Sequence, residues 1–216
     1  MNTRMKSTLV IFLSLALSHQ AQAKPVQFNP NSWCEREDQL KQIDSLEEFP
    51  TKDLLEAKIF PDQIVVSKNT KELFLLKGNK LLRRYAVAFG GVPKGHKQFQ
   101  GDEKTPEGSY LISLKNPQSA FYLSLKVNYP NAADIAWAKA KGKSAGGDIF
   151  IHGFPKAKVG TDWDARFFQA RRKGIINVHP VEDWTLGCIA VTDEEIYEIY
   201  QLVRVQTPID ICSKTR

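Results

Sequence analysis

The sequence predicts a single α+β domain that is mainly β, an antiparallel sheet with a few flanking helices. Three observations carry this. Short β-prone runs recur between Gly, Pro and Asn turns; one amphipathic, capped helix stands near the C terminus; and internal repeats and low-complexity tracts are absent. At 216 residues, 42% hydrophobic and 25% charged, the chain can build one buried core and is short for two domains. Thirteen Gly and eleven Pro are near average, which excludes collagen-like and disordered classes. Lys and Arg outnumber Asp and Glu by 30 to 24, an excess too small and too dispersed to argue for nucleic acid.

Residues 1–23 read as an export signal outside the fold. Arg4 and Lys6 precede the apolar run Leu9 to Leu17, and Ala21-Gln22-Ala23 supplies the small-x-small cleavage pattern. The run is too short to span a bilayer, so no permanent membrane anchor is expected, and the protein is expected to be exported to the periplasm or cell envelope. Residues 24–61 form an N-terminal helical extension, with helix over 35–46 and 51–57. Strands are predicted at 63–67, 72–76 and 80–89, with a turn at Gly78-Asn79, forming a meander that Gly90-Gly91-Val92-Pro93 ends. Residues 101–108 form a polar loop before strands at 109–114 and 121–127. Asn131, with Asp134 three residues on, starts a helix. KAKGKSAGG (139–147) reads as a solvated loop. Asp148 to His152 is a compact apolar strand ending on histidine, followed by an irregular segment over 153–180 with a helix near 163–171. Thr192 and Glu195 fit a capping box ahead of helix 193–203, whose Ile196, Ile199, Tyr200 and Val203 share one face. A strand at 209–212 closes the chain.

The three cysteines form no CxxC pair, which removes zinc-ribbon and thioredoxin-like readings. In an oxidising compartment the simplest assignment joins Cys34 to Cys212, near opposite ends of the mature chain, and leaves Cys188 as a free thiol. Cys188 lies in the turn Thr185-Leu186-Gly187-Cys188, ahead of the capped helix. Successive N–H groups of Leu186, Gly187 and Cys188 in such a turn can face one point, as an oxyanion site requires. A thiol nucleophile needs a base, usually histidine. His19 leaves with the signal. His152 ends a buried-looking strand, with Gly153 offering room and a carbonyl to fix the ring tautomer. His179 reads as a surface or supporting residue, and His96, flanked by lysines, as solvated. Trp137 is expected in the core and Trp184 beside the site; Trp163 fits either setting.

At these residues the sequence resembles the L,D-transpeptidase (YkuD/ErfK-type) catalytic domain. The matching pieces are GDEKTPEGSY (Gly101–Tyr110), IFIHG (Ile149–Gly153), WTLGCIA (Trp184–Ala190) and TPIDI (Thr207–Ile211), in the family's order. The resemblance covers residues 62–212. It implies a sheet sandwich or barrel, with Cys188 as nucleophile, His152 as base, the Gly153 carbonyl orienting it, and Thr185, Leu186 and Gly187 shaping the oxyanion turn. It also implies peptidoglycan stem peptides as substrate, attacked at the third residue. The acyl group then passes to an amine acceptor, to a murein-linked protein or to water, with no metal or cofactor. Three features depart from the usual pattern. Leu186 stands where His is common, Ala190 where Arg or Asn is common, and His152 lies 36 positions before Cys188, which marks about 154–180 as an insertion. Candidate substrate contacts are His179, Trp184, Tyr129 and Arg172. Arg166, Arg171, Arg172 and Lys173 cluster in the insertion, either as a cationic rim that steers carboxylates or as a solvated helix face. Transfer and hydrolysis both fit, and a murein-binding module without catalysis is the alternative of another class.

Overall fold

The computed structural model describes residues 32–156 and 163–213, leaving aside the side chains of residues 41 and 163–168. The export signal over 1–23 lies outside the described residues, as do the side chains of Trp163 and Arg166.

Short apolar runs build a nine-stranded sheet ordered β1-β4-β3-β2-β9-β5-β6-β7-β8. The strands are β1 (Asp44–Ser45), β2 (Gln63–Ser67), β3 (Glu72–Lys77), β4 (Lys80–Ala86), β5 (Gly108–Asn116), β6 (Ser124–Val127), β7 (Phe150–His152), β8 (Ile189–Ala190) and β9 (Pro208–Cys212). The β2-β3-β4 meander and the β9-β5-β6-β7 run are antiparallel. Three joins, β1–β4, β2–β9 and β7–β8, are parallel, so the sheet is mixed rather than purely antiparallel. The cause is topological: the last strand inserts between β2 and β5, and short strands are added at both edges. The sheet then curls on itself. Ala88 and Ala190 exchange backbone hydrogen bonds of 3.0 and 2.8 Å, the Thr185 N–H donates to the Phe89 carbonyl, and the Gly91 N–H donates to the Thr185 carbonyl. The chain leaving β4 thereby clamps the segment that carries Cys188.

Both faces of β2 and β3 are covered, which is why they read as nearly unbroken apolar runs. Ile64, Val66, Leu73 and Leu75 face the main core with Phe89, Ile112 and Ile151. Val65, Phe74 and Leu76 face a second cluster that holds Trp33, Leu40 and Cys212. Of the flanking helices, α1 (Thr51–Glu56), α2 (Ala132–Ala140), α3 (Trp163–Val178) and α4 (Asp193–Leu202), the last buries Ile196, Ile199 and Leu202 at helical spacing. Reciprocal capping boxes, Asn131 with Asp134 and Thr192 with Glu195, start α2 and α4.

Residues 32–61 are part of this body. A 3-10 helix, Trp33–Lys41, kinks at Arg36 where an unbroken helix over 35–46 was expected, and the chain then becomes extended as β1 along β4. The Trp33 N–H donates to Asp210 (2.9 Å), Leu54 enters the main core, and Cys34 is disulfide-bonded to Cys212 across 178 positions. The 153–180 segment is more regular than expected, since α3 runs on to Val178. His96 is buried rather than solvated. Its Nδ1 accepts from the Glu107 N–H (2.9 Å), and its Nε2 lies 3.4 Å from Asp134. The flanking lysines concealed this: Lys97 is itself buried and bonded to Asp102.

Candidate active site

Parallel pairing of β7 with β8 sets Ile151 against Ile189 and His152 against Ala190. Cys188 directly precedes β8, so this register brings it to the same end of the sheet as the strand that His152 closes. Both line a cavity of about 420 Å³, whose walls include Phe121, Phe150, Trp184 and Thr185.

His152 is buried, with a relative exposure of 3%. Its Nδ1 lies 2.6 Å from the Gly153 carbonyl oxygen. Only a protonated Nδ1 satisfies an oxygen acceptor, so Nε2 holds the lone pair. Phe121 packs on one side of the ring at 4.4 Å between centroids, and Trp184 meets it edge-on at 5.8 Å. Burial lowers the His152 pKa to about 4, the Gly153 hydrogen bond opposes this, and His179 reinforces it. Cys188 is half-buried and free; its Sγ–H donates to the Asp148 carbonyl at 3.4 Å. Burial pushes the thiol up to about 11, against the opposing pull of the Phe150 N–H. At neutral pH the resting site is a neutral thiol beside a neutral imidazole.

The turn that carries Cys188 is held from within. The Thr185 hydroxyl accepts from the Gly187 N–H (3.1 Å) and donates to the Cys188 carbonyl (2.8 Å). The Gly187 N–H thus points at Thr185, which corrects its expected place among the oxyanion donors; Leu186 and Cys188 remain candidates. Gly187 has φ +130°, and a Cβ there would stand 2.7 Å from the Lys104 carbonyl oxygen, so the GDEKTPEG loop packs backbone to backbone against the turn. Gly90 meets the same loop, where a Cβ would fall 2.1 Å from the Glu103 carbonyl oxygen. The Leu186 side chain is 76% exposed at the cavity rim.

Of the four candidate substrate contacts, Trp184 alone lines the cavity. Tyr129 is buried in the core, its hydroxyl donating to the Ala145 carbonyl and its ring packed on His96 and Tyr110. Arg172 is a structural clamp that donates to the Pro155 carbonyl and to Asp193. His179 sits behind Trp184, whose indole N–H reaches its Nδ1 at 3.5 Å, and it meets Phe154 edge-on. Among Arg171, Arg172 and Lys173, the described members of the cationic cluster, it is Arg171 that borders the cavity. Trp137 is half-buried rather than core. Sequence reading missed Phe121, Asp148 and Asp193. Asp148 has φ +56° immediately before the IFIHG strand, a backbone feature with no composition signal. Among the described residues no group of three or more His, Cys, Asp or Glu is arranged to hold a metal.

A family model for the YkuD L,D-transpeptidase catalytic domain matches residues 61–211. The Escherichia coli K12 protein named "Putative L,D-transpeptidase YafK" is 28% identical over 145 residues, 65% of this chain and 46% of its own. The chain therefore spans less than half the length of the curated relatives it matches. Among solved structures, the K307A mutant of the helical cell shape determining protein Pgp2 from Campylobacter jejuni shares 22% identity at TM-score 0.47, covering 77% of this chain and 56% of that one. Bd1075 of Bdellovibrio bacteriovorus shares 24% at TM-score 0.44, covering 73% and 52%. With the family model running from the start of the meander through the Cys188 turn to the last strand, the chain belongs to the L,D-transpeptidase (YkuD) catalytic-domain family.

Proposed function

We propose that the protein is an exported cysteine acyltransferase that acts on peptidoglycan stem peptides. The observation that supports this is the sharing of one cavity by Cys188 and a His152 whose Nδ1 is committed to Gly153. Nε2 takes the thiol proton as sulfur attacks the carbonyl carbon of the third stem residue. The N–H groups of Leu186 and Cys188 face the developing oxyanion, while Thr185 and Gly187 fix the turn that presents them. Collapse breaks the peptide bond, and the imidazolium returns its proton to the departing terminal amine. An amine acceptor, such as a second stem or a murein-linked protein, then attacks the thioester carbonyl and gives a proton to Nε2; the C–S bond breaks, and that proton returns to the Cys188 sulfur.

Arg171, exposed at the cavity border, steers stem carboxylates toward the thiol. Hydrolysis is the second reading, and one observation favours it. Ala190, where the family commonly places Arg or Asn, is fully buried, so that position offers no polar group to an incoming amine.

The test is intact mass of the chain from Lys24 onward after incubation with a tetrapeptide muropeptide. A covalent adduct lost in Cys188→Ala supports the proposal, and no adduct on either protein sinks it. A crosslinked dimer or protein conjugate among the products means transfer; free tripeptide means hydrolysis.

A further inference from the structure

The Gly153–Phe154 peptide unit is held at both ends. Its carbonyl faces His152 Nδ1 at 2.6 Å, and its N–H donates to Asp193 Oδ1 at 2.8 Å. The other oxygen of Asp193 accepts from Arg172, which also donates to the Pro155 carbonyl at 2.8 Å. The fit is tight: a Cβ on Gly153 would stand 2.5 Å from Asp193 Oδ1 and 2.9 Å from Ile196. We propose that Asp193 and Arg172 are positioning residues for the base. The carboxylate at the start of α4, held by the guanidinium of α3, fixes and polarises the peptide whose carbonyl sets the His152 tautomer. An ionised acceptor on a peptide N–H strengthens the carbonyl of the same unit as an acceptor, because chained hydrogen bonds polarise one another. The α3 insertion thereby becomes part of the catalytic support.

This inference rests on reading His152 as the base, and its first readout needs no substrate. Imidazole 15N shifts at pH 7 report which ring nitrogen carries the proton. His152 is faced by Cys188 across the cavity and by His179 behind Trp184; Asp193 is faced by Arg172. In the wild type the Nδ1–H form dominates. Asp193→Ala frees the Phe154 N–H, lets the peptide turn and brings in the Nε2–H form. Arg172→Gln, which leaves the carboxylate in place, does so more weakly. Glu194→Gln is the control: it removes another acidic charge from the first turn of α4 without a contact to this peptide. Thiol acylation by a muropeptide is expected to fall about ten- to a hundredfold in Asp193→Ala, the range found for partners that orient metal-bound histidines, and to stay unchanged in Glu194→Gln.

A folded Asp193→Ala protein that keeps the wild-type tautomer overturns the inference whatever the reaction proves to be. If Asp193→Ala does not fold, an unchanged tautomer and rate in Arg172→Gln overturns it. A shifted tautomer in a protein that never forms an acyl adduct supports the positioning role and refutes the proposed function instead.

Discussion

The burial that raises the Cys188 thiol to about 11 makes a quantitative prediction for its reactivity. A free cysteine with pKa near 8.5 is about 3% thiolate at pH 7, whereas a thiol at about 11 is roughly one part in ten thousand thiolate. That is a deficit of about 300-fold. The more basic sulfur is intrinsically more nucleophilic and recovers about tenfold of it. Iodoacetamide should therefore label Cys188 about thirtyfold more slowly at pH 7 than it labels a free cysteine in a short peptide, and the rate should climb about tenfold per pH unit up to pH 10. The measurement is clean because Cys34 and Cys212 are already paired. His152→Ala should leave the slope nearly intact, since a neutral imidazole holds no ion pair with the sulfur. A fast rate that is level from about pH 5 upward would show a preformed thiolate–imidazolium pair and refute the neutral resting site.

Four further outcomes follow from the same geometry. Folded His152 stays neutral down to about pH 4, while an unfolded imidazole takes its proton near 6.5, and His179, lowered to about 4 by burial with Lys71 adding to it, titrates in the same window; acid therefore favours the unfolded chain between these values, and urea unfolding should show stability lost across that window, about 3 kcal/mol of it from His152, with the slope reduced but not abolished in His152→Phe. Gly187→Ala should destabilise by about 1–3 kcal/mol and abolish acylation, whereas Gly78→Ala, at φ +57° with nothing within 4 Å of its Cβ, should cost about 1 kcal/mol and leave acylation intact. Replacing Cys34 and Cys212 together by Ser should lower stability by up to about 5 kcal/mol, the chain-entropy value for a separation of 178, with Cys188 labelling unchanged at temperatures where the protein stays folded. Arg171→Gln should raise KM for stems bearing free carboxylates without changing kcat, and a fall in kcat instead would place Arg171 outside substrate steering.

Elements with a strong period were legible. The 193–203 helix announced both its buried face and its capping box, and the meander announced its strands and its Gly78-Asn79 turn. His152 and Cys188 stand out as candidates less from their local surroundings, an apolar strand end and a Thr-x-Gly turn, than from the stretches IFIHG and WTLGCIA that resemble the L,D-transpeptidase motifs. What escaped depends on contacts far apart in sequence. Asp193 reads as an ordinary first-turn acid, and only the fold brings it to the Phe154 N–H, 39 positions away. Arg171 and Arg172 are indistinguishable by composition; one helical step turns the first to the cavity and the second to Asp193. Tyr129 and His96 sit among polar or turn residues, so neither pattern reveals that they share one buried aromatic cluster.

The neutral resting pair also explains why so much structure is applied to one ring. A thiolate and an imidazolium hold each other by attraction, so a loose histidine is drawn into place. In the reaction proposed above that attraction arises only as the proton moves, and Nε2 must already be aimed before any charge exists to aim it. The orienting force must then come from groups that act on the neutral ring. Phe121 and Trp184 restrict its plane, and the Gly153 carbonyl selects which nitrogen is bare. The carbonyl is only as well placed as its peptide, which is pinned through its other end by Asp193 and, through Asp193, by Arg172 of α3. A site built this way loses rate when any member of that chain is loosened, even though Asp193 and Arg172 do not line the cavity.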